Sequence, residues 1–282
     1  MKKRAAWQQA TERLGRAGKA DGRFEAELLL RSALVEDRAR FFTTLDDEVD
    51  EALLAKYWLW LEERASGKPL QHIVGRQEFM GLEFMVTPDV LIPRPDTEMA
   101  VEAALLLLRG RERPQVVDIA TGSGAIAVAL AYHCPQAQVW ATDISTAALA
   151  IAKQNALLNG VSERLTFVES SWGEKLLAQG LQFDCVVSNP PYIPSGDIPR
   201  LAIEVQQEPH LALDGGPDGL DCYRALVPEA KALLRSGGHI VLEVGQGQAT
   251  AVGALLKHRG FGDITIRPDL AGIDRVVCGC WD

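Results

Sequence analysis

The most specific chemical equipment in the chain is Asn189-Pro190-Pro191-Tyr192, which follows the apolar run Phe183-Asp184-Cys185-Val186-Val187-Ser188. Asn189 precedes a proline, so its backbone is pushed out of helical geometry, and the second proline stiffens the turn. One side-chain amide oxygen and the backbone carbonyls are displayed together, beside the ring and hydroxyl of Tyr192. The set suits an NH2 group on an sp2 carbon, whose two hydrogens need two acceptors. The Asn189 side-chain oxygen and the Pro190 carbonyl can supply them. Such a nitrogen is a poor nucleophile because its lone pair is delocalised. Acceptors aimed at a pyramidal nitrogen favour the transition state over the planar ground state, and Tyr192 can stack on the planar group. The competing reading is a rigid Pro-Pro loop without chemistry. The placement at the end of an apolar strand weighs against it.

A second constellation lies upstream. Asp118-Ile119-Ala120-Thr121-Gly122-Ser123-Gly124 ends one apolar strand and opens a helix. Small residues there let the backbone approach a ligand closely, and the helix N-terminus offers free N–H groups. Asp143 ends the next strand about 20 residues on, where a carboxylate can accept from both hydroxyls of a ribose. A ligand-free βα turn and a capping acid are the bland readings of each part; together they point to a nucleoside-containing cofactor. Taken alone, this pair leaves a nicotinamide-dependent dehydrogenase open, and the Asn-Pro-Pro-Tyr turn discriminates against it.

The elements that must position these residues alternate. Strands are expected at 115–120, 138–143, 165–168, 183–188 and 239–244, with helices at 125–132, 147–158 and 223–234 between them. Short apolar runs at Ile264-Thr265-Ile266 and 275–280 end the chain. Alternation of this kind gives a mostly parallel sheet with helices on both faces and a ligand site beyond the carboxyl ends of its strands. Asp96 or Thr97 is placed to cap a helix running through Val101 and Leu105.

The first 65 residues read as helices instead. Phe24, Leu28, Leu29 and Leu34 are spaced for one apolar face, and Leu53, Leu54, Tyr57, Trp58 and Leu61 for another; Trp7, Tyr57, Trp58 and Trp60 are expected in the core. Ser66-Gly67 before Pro69 stops the second helix. Glu78-Phe79-Met80 and 82–86 around Gly81 read as a hairpin, followed by the extended Ile92-Pro93-Arg94-Pro95 linker. The expected domains are 1–75, helical; 76–95, hairpin and linker; and 96–282, α/β.

The 282 residues carry a net charge of -9, which argues against tight nonspecific binding of nucleic acid. No apolar run follows the basic start, so no signal peptide is expected, and none is long enough to span a bilayer. The five cysteines form no CxxC pair and the five histidines are scattered, so free thiols, a cytoplasmic setting and no metal site are expected.

Asn189-Pro190-Pro191-Tyr192 resembles the active-site motif of amino and amide methyltransferases of the seven-stranded class. Gly75 to Phe79 with Phe84, the Leu91 to Glu98 run, the Asp118 to Gly124 turn and Glu208-Pro209-His210-Leu211-Ala212-Leu213-Asp214-Gly215-Gly216-Pro217-Asp218-Gly219-Leu220 resemble one branch of it, the peptide-chain release factor N5-glutamine methyltransferases (the HemK/PrmC type). The resemblance covers nearly the whole chain. It implies a Rossmann-like class I S-adenosylmethionine methyltransferase domain of seven strands, joined by a β-hairpin to a small helical bundle. It further implies that Ala120, Thr121, Gly122, Ser123 and Gly124 contact the cofactor, that Asp143 holds its ribose, that Trp172 lies beside its adenine and that Asn189 meets both cofactor and substrate. Asn189 to Tyr192 would hold the glutamine of a Gly-Gly-Gln motif in class I release factors, with the helical domain docking that partner and no direct role for nucleic acid or membrane.

Two positions depart from the family's usual pattern. It commonly has glycine where this chain has Ala120, and a methyl group is compatible with a negative φ there. It commonly has aspartate where this chain has Ser171, a weaker acceptor for an adenine amino group. The Asn-Pro-Pro-Tyr motif is shared with DNA adenine N6-methyltransferases, the alternative reading. Residues 1–90 hold 14 Lys and Arg against 16 Asp and Glu, which does not suit a DNA-reading surface.

Overall fold

The computed structural model describes residues 1–282. The chain divides into two compact units, Met1–Gly75 with Ala202–Gln207, and Arg76–Leu201 with Glu208–Asp282.

The first unit contains α1 (Lys3–Arg16), α2 (Gly22–Leu34), α3 (Arg38–Thr43), α4 (Glu51–Ala65) and α5 (Leu70–Val74). Asp50 caps α4 by accepting from the Ala52 and Leu53 N–H groups, and the helix stops before Ser66-Gly67 as expected. Trp7, Leu14, Leu29, Leu30, Phe41, Tyr57 and Leu61 form the core, with Trp58 and Trp60 packed half-buried against it. The face of α2 differs from the expected one. Phe24 is 55% exposed, and Ala26, Leu29, Leu30 and Ala33 are buried. This is still an i, i+3, i+4, i+7 stripe, but one built on alanines, which let α1 approach closely through Ala6 and Ala10. Segment Ala202–Gln207 is tied to these helices by charge. Glu204 accepts from Lys19 at 2.6 Å and from Arg64 at 2.9 Å, and Arg64 makes a two-point pair with Glu25.

The second unit opens with the antiparallel hairpin β1 (Arg76–Phe79) and β2 (Leu82–Met85). There follow α6 (Pro95–Leu107), β3 (Gln115–Ile119), α7 (Ala125–His133), β4 (Gln138–Asp143), α8 (Thr146–Leu158), β5 (Leu165–Glu169), α9 (Glu174–Ala178), β6 (Phe183–Ser188), α10 (Asp221–Leu233), β7 (Leu234–Glu243), α11 (Ala249–His258), β8 (Gly262–Pro268) and β9 (Asp274–Trp281). The seven-stranded sheet has the order β5-β4-β3-β6-β7-β9-β8, with β9 antiparallel to both neighbours. Two hydrophobic clusters sandwich it: one gathers residues of α6, α7 and α8, the other residues of α9, α10 and α11. This is the seven-stranded α/β architecture that the resemblance implied.

From β3 the chain winds outward through β4 to β5, then returns to place β6 on the other side of β3. The crevice where the order reverses lies at the carboxyl ends of β3 and β6, where Ile119 pairs with Ser188. The Ser188 hydroxyl donates to the Ile119 carbonyl at 2.6 Å and locks the two strand ends together. No helix is long and apolar enough to cross a membrane.

The start of α6 differs from the sequence expectation. Pro95 occupies its first turn, Arg94 is the N-cap residue, and no side chain caps it. Proline needs no N–H partner at that position and its φ is already helical, so the helix starts earlier and frees Thr97 for another contact.

Candidate active site

A cleft opens over the carboxyl ends of β3, β4 and β6, with about 1220 Å³ of space free of protein atoms, its open mouth included. Ala120, Thr121, Gly122, Ser123, Asp143, Trp172 and Asn189 all line it. Gly124 lies just behind as the N-cap of α7, at φ +81°; a Cβ there would stand 2.9 Å from the Cβ of Ala152, so only glycine lets α7 and α8 pack this closely. Asp143 accepts from the Gly122 and Ser145 N–H groups, each at 2.9 Å. Burial raises its pKa, and these N–H groups oppose the rise by stabilising the carboxylate. Its other lone pairs remain for a diol.

Below the turn, Asp118 accepts from the Thr121 hydroxyl at 2.6 Å and the Ala127 N–H at 3.1 Å, which shapes the loop from beneath. Full burial pushes its carboxyl up to about 7. Ala120 has φ +61°, so the negative φ with which its methyl group would be compatible is not adopted. The turn after β3 needs the left-handed region at this position, and a residue with a Cβ occupies it under strain. Trp172 is likewise at φ +50°, next to the exposed Ser171, and both line the cleft.

Asn189 stands at the end of β6 and faces the cleft with Pro191. Its side-chain NH2 donates to the Thr97 hydroxyl oxygen at 3.1 Å, which leaves its carbonyl oxygen as a free acceptor. Pro190 is buried, and Tyr192 is turned toward Glu243 and Gly245; neither is part of the cleft wall. The Gln248 amide holds this turn from below, donating to the Tyr192 carbonyl at 2.8 Å. The glycines of Asp214-Gly215-Gly216-Pro217-Asp218-Gly219 make room for it. A Cβ at Gly215 would stand 2.7 Å from the Tyr192 Cα, and one at Gly219 only 2.3 Å from the Tyr192 carbonyl oxygen.

The two most specific sequence motifs meet across the mouth. Glu208, 5% exposed, accepts from the Ile92 N–H at 2.9 Å and forms an ion pair with Arg94. Burial raises its pKa, opposed by Arg94 and the Ile92 N–H. Leu91, Pro93, Arg94, Pro209, Leu211 and Ala212 thereby form one apolar wall with a charged rim.

A curated relative from Moorella thermoacetica, a release factor glutamine methyltransferase, is 46% identical over 273 residues, covering 96% of each chain. The chain belongs to the release factor glutamine methyltransferase family. Another relative of the same name, from Geobacter sulfurreducens, is 46% identical over 94% of this chain and 92% of its own. The family model of the PrmC N-terminal domain matches residues 5–75, and that of the methyltransferase small domain residues 98–206. Among solved structures, a methyltransferase from Pyrococcus furiosus matches 71% of this chain and 89% of its own at 18% identity, with a TM-score of 0.50, and shares its fold.

Four residues that build the site stand outside the glycine-turn and Asn-Pro-Pro-Tyr motifs that the sequence displays. Thr97 offers itself in the sequence as a helix cap, and its contact with Asn189 is visible only in three dimensions. Asn155, wholly buried in α8, accepts from the Met85 N–H at 2.7 Å and donates to the Met85 and Ser123 carbonyls, which pins the hairpin to the glycine turn. Glu243 lies behind Thr97 and Tyr192, and Gln248 holds the Tyr192 carbonyl. The signal for two of them was present: an asparagine on the apolar side of a helix, and a glutamate inside Ile240-Val241-Leu242-Glu243-Val244, each need a partner when buried.

Proposed function

We propose that this chain transfers a methyl group from S-adenosylmethionine to the side-chain amide nitrogen (N5) of the glutamine in the Gly-Gly-Gln motif of class I peptide chain release factors, in the cytoplasm. The observation that carries the reading is the orientation of Asn189. It stands at the switch point of the sheet, its NH2 is committed to Thr97, and its carbonyl oxygen is left to accept from an incoming NH2. The family named above supports the identity of the substrate.

The cleft suits the cofactor. Its floor is a turn of small residues at a helix N-terminus, no atom stands within 4 Å of a Cβ built on Gly122, and Asp143 keeps acceptor capacity beside it. Residues Ala120, Thr121, Gly122, Ser123 and Gly124 would hold its amino-acid part, Asp143 its ribose and Trp172 its adenine. When bound, it supplies an electrophilic methyl group on a sulfonium. Asn189 would accept one amide hydrogen, and the backbone carbonyl of Pro190, behind the cleft wall, is the proposed acceptor for the other; together they would turn the nitrogen toward the methyl group. Acceptors in those positions favour the pyramidal nitrogen and stabilise the positive charge that develops on it. Pro191 closes the turn rigidly, and Tyr192 anchors it from beneath. The methylated nitrogen is strongly acidic and loses its proton to water, so the chain need supply no general base.

Labelled cofactor with a release factor in one arm and DNA in the other, read by mass spectrometry, tests the substrate. Label on the glutamine is expected; label on adenine would replace this reading with the DNA one. Asn189→Ala should slow transfer roughly a hundredfold or more without unfolding the chain. Near-normal turnover would sink the amide clamp.

A further inference from the structure

Glu243 sits at the carboxyl end of β7, beside β6, and is 1% exposed. Leu242, Val244, Val276 and Val277 surround it in sequence and across the β7–β9 pairing, so it is an acid in an apolar layer. An ionised group in such a place costs several kcal/mol unless it is compensated, and packing alone would be served by a neutral residue. The Thr97 and Tyr192 hydroxyls approach its carboxyl group, and its Oε2 has no hydrogen-bond partner. Its backbone carbonyl is fixed by the Tyr223 hydroxyl at 2.8 Å. The carboxyl therefore stands one residue behind Asn189: Asn189 donates to Thr97, and the hydroxyl hydrogen of Thr97 is free to turn to Glu243.

We propose that Glu243 is a positioning residue whose carboxylate orients the Thr97 hydroxyl and the Tyr192 turn, and so commits the Asn189 NH2 to Thr97 and presents its carbonyl oxygen to substrate. The inference rests on the amide-clamp reading above and adds the group that sets the clamp's orientation. Ionised, the carboxyl accepts the Thr97 hydroxyl hydrogen, so Thr97 can meet Asn189 only as an acceptor. Protonated, it can itself donate to Thr97, whose hydrogen is then free to turn to the Asn189 carbonyl oxygen, and the polarity of the chain is lost.

The charged and titratable groups facing Glu243 are Asp96 from the first turn of α6, Arg275 from β9 and Tyr192 from the turn, with the Tyr223 phenol of α10 at its backbone. Arg275 is already engaged by Asp96 at 3.0 Å and Asp269 at 3.2 Å, so it attracts the carboxylate only in part. Burial is the largest influence and pushes the carboxyl up to about 7. The switch from donor to acceptor then falls near pH 7. Since the group ionises near 4.5 when unfolded and only near 7 when folded, folding stability falls as pH rises through that window.

Three measurements on the full chain decide it. In the protein without substrate, the Asn189 side-chain NH2 resonance should shift with a midpoint near pH 7, and the shift should vanish in E243Q and in T97V. No shift in the unmutated protein would overturn the proposal whether or not the substrate has been named correctly. With a release factor as substrate, T97V should lower kcat roughly 10- to 100-fold with cofactor affinity unchanged, and T97S, which restores the hydroxyl, should recover it. Equal rates in T97V and T97S would overturn it. E243Q should lose the rise of kcat with pH and melt at a higher temperature than the unmutated chain at pH 8, whereas a merely structural carboxyl would melt lower when removed. Failure of the unmutated chain to methylate a release factor would count against the proposed substrate alone, and the resonance would still decide the role of Glu243.

Discussion

Ala120 shows how a single backbone angle separates two residues of nearly equal size. At φ +61° its Cβ crowds the following carbonyl, a cost of roughly 1 to 2 kcal/mol that glycine does not bear. Ala120→Gly should therefore stabilise the chain by about 1 kcal/mol, read as a higher melting temperature. The polar partners of the cleft are untouched by the change, so calorimetry should show cofactor affinity no weaker than before. A lower melting temperature would mean that the methyl group makes a contact worth more than the strain. Asp143 and Asn189 illustrate the opposite case: their type was informative from the sequence, but the acceptor capacity each retains depends on which N–H groups it already meets.

Among the elements, the turn after β6 is held by neighbours distant in sequence. Gln248 grips its Tyr192 carbonyl, and the glycine-rich stretch from Asp214 to Gly219 gives it a bed with no side chains. Gly219→Ala places a methyl group 2.3 Å from the Tyr192 carbonyl oxygen and 2.5 Å from the Gln248 amide nitrogen. The turn must shift to admit it, and a displacement of about 1 Å at a reacting group costs roughly a hundredfold in rate. Methyl transfer should fall by that order while Asp143 and the 120–124 turn still bind the cofactor. Loss of both together, measured by kinetics and calorimetry, would show that the stretch supports the whole cleft and not the Asn-Pro-Pro-Tyr turn. Most of the strand and helix order was legible from alternating apolar runs because the central strands β3 and β6 are buried on both faces, whereas the helices α9 and α11 were not expected from the sequence. The start of α6 was not legible either, because proline and a capping side chain are both valid ways to begin a helix and the contact of Thr97 with Asn189 lies 92 residues away.

For the molecule as a whole, the six residues Ala202–Gln207 belong with the helices although they follow the Asn-Pro-Pro-Tyr turn in sequence. The Lys19 ammonium, with Arg64, holds the Glu204 carboxyl down at about 2, against an ordinary 4.5. Arg64→Met would leave Glu25 buried without its partner and Glu204 with Lys19 alone. Breaking such a pair costs about 3 to 5 kcal/mol, and the loss should fall on the helical unit. A separate, earlier melting transition with cofactor binding retained is expected, and, if that unit docks the release factor, a raised KM for it. A single transition with cofactor affinity lost in parallel would contradict this division.

The sequence by itself determined the chemistry on offer. Asn189-Pro190-Pro191-Tyr192, the Asp118 to Gly124 turn and Asp143 are local patterns, and the backbone constraints of proline and glycine act over one or two residues wherever they occur. Most of the alternating strands and helices followed too, from apolar patterns that are equally local. What the tertiary structure alone decided is which atoms of those residues remain available. Thr97 takes the Asn189 NH2, Glu243 stands behind Thr97, Asn155 ties the hairpin to the glycine turn, and Glu208 joins Ile92 and Arg94 to the distant Pro209 wall. These contacts join residues 32 to 146 positions apart, a range over which no local propensity acts. They exist because a buried polar group must find a partner wherever the packed sheet and helices bring one within reach.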